Sequence, residues 1–217
     1  MVKTDGELRQ HVLDELHWEP FLDASRIGVT VAGGAVRLSG YVKSYPEKCA
    51  AKQAAARVRL VRSIIDDIDV RLTDAERRDD IAIAIAADKV LAWNALIPQG
   101  ALSLQVDFGW VTLRGEVATC YQKSCAEEAL RPLIGVRGIT NNIVVKPKGP
   151  AGHVQADIAH ALERNALVDA RDIHVEAEGD RVILRGTVHS WLEREEAQSA
   201  ASLAPGVSVV ENCVEVK

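Results

Sequence analysis

Val111-Thr-Leu-Arg-Gly-Glu-Val117 decides the fold of this chain, because the pattern V-x-L-x-G-x-V occurs three times in its 217 residues. Val36-Arg-Leu-Ser-Gly-Tyr-Val42 lies 75 residues earlier and Val182-Ile-Leu-Arg-Gly-Thr-Val188 lies 71 later. At those two offsets the flanking sequence aligns without a gap. Leu16, Leu91 and Leu162 coincide upstream; Val61, Val136 and Val207 coincide downstream, as do Ile68, Ile143 and Val214. Agreement at fixed offsets over such a length marks one structural unit used three times in tandem.

Each unit reads alike. The opening segment repeats apolar residues at helical spacing, as in Leu8, Val12, Leu16 and in Val154, Ile158, Leu162. Ile27-x-Val29-x-Val31 and Leu102-x-Leu104-x-Val106 then alternate with the period of a half-buried strand. Gly33-Gly34, Phe108-Gly109 and Glu178-Gly179-Asp180 supply turn residues before the V-x-L-x-G-x-V run, so the pair predicts a β-hairpin. An Ala-rich helix follows from Glu47 to about Val58, with counterparts near 122–133 and 193–203, and a last strand closes each unit. The expected fold is α+β: three small modules, each helix-strand-strand-helix-strand, with a three-stranded mixed sheet packed by two helices. The expected modules are 1–74, 75–149 and 150–217. The first link, Thr73 to Arg78, is short and charged, whereas Lys146 to Gly152 is rich in Pro and Gly and is expected to be the more flexible. Gly40, Gly115 and Gly186, inside strands, predict a bulge or a close backbone approach and are structural residues.

Net charge is −5, but it is uneven. Lys plus Arg minus Asp plus Glu is 11 − 11 = 0 for residues 1–75, 9 − 8 = +1 for 76–150 and 6 − 12 = −6 for 151–217. No window approaches the roughly 18 apolar residues of a membrane span, and the N-terminal Met1-Val2-Lys3-Thr4-Asp5 lacks the apolar run of a signal peptide. Cys49, Cys120, Cys125 and Cys213 show no zinc-ligand spacing. These features predict a cytoplasmic protein, or a periplasmic one if an export signal has been removed.

The pattern V-x-L-x-G-x-V, an Ala-rich helix, Gly-Val and then V-x-N-x-(V/I)-x-V resembles the BON domain family (bacterial OsmY and nodulation). The second copy carries it most fully, with Gly135-Val136 and Ile139-Thr-Asn-Asn-Ile-Val-Val145. The third has Gly206-Val207 and Val210-Glu-Asn-Cys-Val-Glu-Val216, and the first departs with Leu60 for the Gly and Asp66 for the Asn. The resemblance implies a non-enzymatic protein of osmotic or envelope stress whose modules engage anionic phospholipid surfaces or protein partners. A small-ion sensor of the potassium-binding type, or a purely protein–protein scaffold, is the alternative it leaves open.

Six residues are candidates for such contacts. Lys48, Lys52 and Arg59 fall at i, i+4 and i+11 on the second helix of the first copy, with Arg62 just beyond, and predict a basic stripe. Trp18 and Trp93 share one repeat position at the end of the first helix, where the third copy has Arg164. A site that takes Trp or Arg predicts a rim, suited to contact between modules or to an interfacial anchor, with module contact the favoured reading. Trp191 shares another position with Tyr45 and Cys120, and Trp110 sits in a hairpin; both tryptophans are read as structural. His153, Asp157 and His160 align on one face, but on a polar face without a clear fourth ligand, so no metal is expected. No catalytic motif is present, no cofactor is expected, and Gly135-Val-Arg-Gly138 precedes a strand rather than joining two helices, which argues against nucleic acid. The oligomeric state is not set by the sequence.

Overall fold

The computed structural model describes residues 4–147, 154–165 and 168–217. Most of the Pro/Gly-rich link, and His153, lie outside the described residues. The first copy runs α1 (Asp5–Trp18), β1 (Ile27–Ala32), β2 (Ala35–Val42), α2 (Tyr45–Arg57) and β3 (Ser63–Val70). The second runs α3 (Asp80–Trp93), β4 (Leu102–Asp107), β5 (Trp110–Val117), α4 (Cys120–Leu130) and β6 (Gly138–Val145). The third runs α5 (Val154–Arg164), β7 (Ile173–Glu178), β8 (Arg181–Val188), α6 (Trp191–Ser202) and β9 (Val209–Val216). Each sheet has three strands with the V-x-L-x-G-x-V strand central, antiparallel to the strand before it and parallel to the one after. The expected α+β modules with mixed sheets are therefore what the chain forms.

The repeat pattern is the core pattern. Leu8, Val12 and Leu16 of α1, Ile83, Ala87 and Leu91 of α3, and Val154, Ile158 and Leu162 of α5 are all buried, at spacings that place them on one helical face. They meet Val36, Leu38 and Val42, or their counterparts, from the central strand. The second helices start two residues before the sequence expectation, because Ser44, Thr119 and Ser190 act as N-caps and accept from Glu47 N, Gln122 N and Glu193 N. Gly40, Gly115 and Gly186 have φ of 111°, 135° and 132°. A Cβ at those positions would run into the carbonyl oxygens of Arg26, Ala101 and Asp172, so the glycine lets the hairpin partner approach.

Leu60 takes the place of the helix-ending Gly135 and Gly206, yet has the same left-handed backbone, with φ of 72° against 96° and 89°. Such a conformation costs a non-Gly residue about 1–2 kcal/mol. The third copy holds it: Leu60 N–H donates to His189 O at 3.2 Å, and Arg59 forms an antiparallel bridge with Ser190.

That bridge belongs to a larger arrangement. Tyr45, Cys120 and Trp191 are each the first residue of a second helix. Tyr45 packs against the core of the second copy and Trp191 against the core of the first. The Cys120 thiol lies 3.8 Å from Val207 O and 3.9 Å from Ser208 O in the third. One repeat position thus reaches from copy one to two, from two to three and from three to one. The three modules form a closed head-to-tail ring.

Candidate functional site

The ring decides which side chains are spent and which are free. Where the three modules meet, a cavity of about 220 Å³ is lined by Tyr45, Cys49, Lys52 and Ala56 of α2, Glu127 and Arg131 of α4, and Trp191 and Glu195 of α6. Burial, reinforced by Cys49 and Glu127, pushes the Tyr45 phenol up to about 12, against the pull of Arg131. Burial likewise pushes the Cys49 thiol up. Arg131 pairs with Glu127 at 3.0 Å, while its Nε is buried without a hydrogen-bond partner. Ser190, the N-cap of α6, is 6% exposed and is bridged by Arg59 of the first copy.

The expected basic stripe does not form. Lys48 Nζ donates to Ile68 O at 2.6 Å and lies 3.4 Å from Asp66, with both side chains 18% exposed, so its charge is used inside the module. The other copies explain why. Asn141 and Asn212 each accept from the N–H two residues on and donate to a carbonyl of the facing helix, Lys123 O at 2.9 Å and Arg194 O at 2.7 Å. Asp66 accepts from Ile68 N in the same way, and Lys48 donates to Ile68 O just as its counterpart Arg194 donates to Val214 O in the third copy. The helix ends at Arg57, which places Arg59 and Arg62 off its face. Lys52 and the Arg59 and Arg62 side chains are exposed, but Lys52 borders the central cavity and Arg62 lies over the Gly33-Gly34 turn.

Trp18 and Trp93 go the other way. They are 83% and 90% exposed, so neither is buried between modules among the described residues, against the favoured reading of that position. Each is followed three residues on by a second exposed apolar side chain, Phe21 at 82% and Leu96 at 46%. Phe21 and Leu96 were not singled out from the sequence, although they share the offset of 75 with the tryptophans and could have been found by it. On α3 the exposed set extends to Ile81 and Ile85. An exposed Trp–Phe or Trp–Leu pair at a helix end is an apolar plug with a polar indole edge, fitted to the boundary between water and hydrocarbon. Its surroundings are not basic: α1 carries Asp5, Glu7, Asp14 and Glu15 against Arg9 alone.

No group of three His, Cys, Asp or Glu among the described residues could hold a metal ion. His160 instead pairs with Glu163 at 3.3 Å. No described helix is long and apolar enough to cross a membrane.

A BON domain matches the chain three times, over residues 4–71, 79–147 and 151–217. The osmotically-inducible protein Y of Escherichia coli strain K12 is 31% identical over 150 residues, which is 64% of this chain and 73% of that protein. Among solved structures, CdsD, a structural protein of the type III secretion system of Chlamydia trachomatis, is 18% identical, with 97% of this chain and 92% of that chain covered and a TM-score of 0.26. A structure of its C-terminal domain is 16% identical, with coverage of 99% and 100% and a TM-score of 0.26. Superposition at that level bears on neither module arrangement nor function.

Proposed function

Since the chain belongs to the BON domain family, with three modules in tandem, we propose that it is an osmotic-stress-related binding protein that docks on phospholipid bilayers by inserting Trp18 with Phe21 and Trp93 with Leu96. The observation that carries this reading is the near-complete exposure of two tryptophans at one repeat position. Leaving such side chains in water forgoes about 1.5–3 kcal/mol each of burial free energy, a cost that a surface with no partner has no reason to bear twice. The role we propose is binding rather than catalysis.

Apolar insertion, not charge, dominates. Four free basic residues in a stripe would contribute about 1 kcal/mol each near anionic lipid. Lys48 is spent on Asp66, and the first helix of copy one is acidic. Exposed Lys52, Arg59 and Arg62 add a smaller attraction to anionic headgroups.

Co-sedimentation with phosphatidylglycerol and phosphatidylcholine vesicles at low and high salt tests this. Binding to both is expected, stronger on the anionic vesicles, and weakened less than about tenfold by high salt. Negligible binding to both at every salt concentration would sink the bilayer reading, and binding abolished by salt would return the role to the basic residues.

A further inference from the structure

The cavity at the junction of the three modules holds acids that already have partners and cations that lack them. Both oxygens of Glu127 are engaged: Oε1 accepts from Arg131 Nη2 at 3.0 Å and Oε2 from Asn141 Nδ2 at 3.3 Å. Glu195 accepts from Trp191 Nε1 at 3.0 Å. Arg131, by contrast, keeps its Nε buried without an acceptor. Lys52 forms no ion pair among the described residues, whereas Lys48, one turn earlier, pairs with Asp66 at 3.4 Å. The unused hydrogen-bonding capacity is therefore cationic N–H, and an occupant has to supply acceptors.

The two cations act on the same spot. Burial pushes the Cys49 thiol up, while Arg131 and Lys52 each pull it back by more than Glu127 adds. This pairing belongs to one junction and not to the repeat. The counterparts of Lys52 are Glu127 and Gln198, and those of Arg131 are Ala56 and Ser202. Charge and shape then set the class of occupant. Glu127 and Glu195 offset Arg131 and Lys52, so the lining matches a monoanion better than a dianion. Trp191, Ile64 and Ala56 supply an apolar wall. The volume of about 220 Å³ exceeds the roughly 150 Å³ in which a benzene ring fits.

We infer that this junction binds a small organic monocarboxylate, with its oxygens on Lys52 and the Arg131 guanidinium and its hydrocarbon part against Trp191 and Ile64. Lys52 belongs to the first copy, Arg131 to the second and Trp191 to the third, so one bound molecule fastens all three together. The site uses neither Trp18 nor Trp93 and stands independently of the bilayer reading.

Alkylation of the full chain, resolved cysteine by cysteine in a mass spectrometer, tests it with propionate as the probe at constant ionic strength. Cys49 lines the cavity and Cys213 is exposed outside it. At about ten times its half-protecting concentration, propionate should slow alkylation of Cys49 about tenfold and leave Cys213 unchanged. Lys52→Gln should raise the half-protecting concentration by about tenfold or more, and Lys52→Arg should keep it close to wild type. Lys52 is exposed and outside every core, so both variants fold, and each is compared with itself without propionate. No protection of Cys49 in the wild type, equal slowing at Cys213, or protection that Lys52→Gln leaves unchanged would overturn the site. Inorganic phosphate protecting Cys49 at lower concentration than propionate would overturn the carboxylate assignment.

Discussion

Two repeat positions carry three of the four tryptophans and Tyr45, and they have opposite fates. Position 45/120/191 holds Tyr, Cys and Trp, half-buried where each module meets the next. Position 18/93/164 holds Trp, Trp and Arg, and stands in solvent. Both vary among the copies and both mix apolar with polar side chains. The difference is whether the ring places a neighbour over them. An aromatic residue that varies between repeats is thus no guide to its own burial, because its environment is made by another module.

The comparison breaks most visibly at Trp191. Trp191→Ala removes a side chain that packs on the cores of both the first and third copies. It is expected to lower stability in denaturant unfolding by about 2–4 kcal/mol, the lower part of the range for buried aromatic truncation because the ring is only half covered. The same substitution at Trp18 or Trp93 is expected to change stability by no more than about 0.5 kcal/mol.

Titration sharpens the contrast. Tyr45 is held protonated up to about 12 by burial in the junction, above its ordinary value of 10.0. The folded state binds this proton more tightly than the unfolded chain. Its contribution to stability is therefore fully present below pH 10.0 and is lost as pH rises through about 12. Absorbance at the tyrosinate band should show a late phase that Tyr45→Phe diminishes, and a titration unchanged by the substitution would contradict the burial of Tyr45. Thiol labelling gives a smaller effect on the same contact. Cys213 is exposed and should react first, while Cys49, half-buried with its thiol pushed up by burial, lags. Trp191→Ala should quicken Cys49 and leave Cys213 unchanged.

Most of the fold could be read from the chain because every module carries its own core. Val36, Leu38 and Val42 repeat at two offsets, and a residue that faces the module interior repeats wherever the module does. The three glycines were legible for the same reason. What lay between modules was not. Nor, within the first module, did the shared face of Lys48, Lys52 and Arg59 show that Lys48 turns to Asp66 and Ile68 O of the strand beneath its helix. A signal did exist, since the first copy alone replaces the strand Asn by Asp. Leu60 taught the converse lesson. Its sequence predicted a departure from the Gly-ended helix, yet the backbone is kept, because His189 O from the third copy accepts its N–H. Ring closure links residues over a hundred positions apart and leaves no local pattern.

If lipid meets Trp18 and Trp93 while Trp191 and Trp110, whose Nε1 donates to Thr140 Oγ1 at 2.8 Å, stay with the protein, quenching of tryptophan emission by vesicles of brominated lipid measures it directly. The four-tryptophan wild type should be quenched on binding, and the Trp18→Phe, Trp93→Phe double variant should show almost none. Quenching that persists in the double variant, or its absence in a wild type that sediments with the vesicles, would contradict the account.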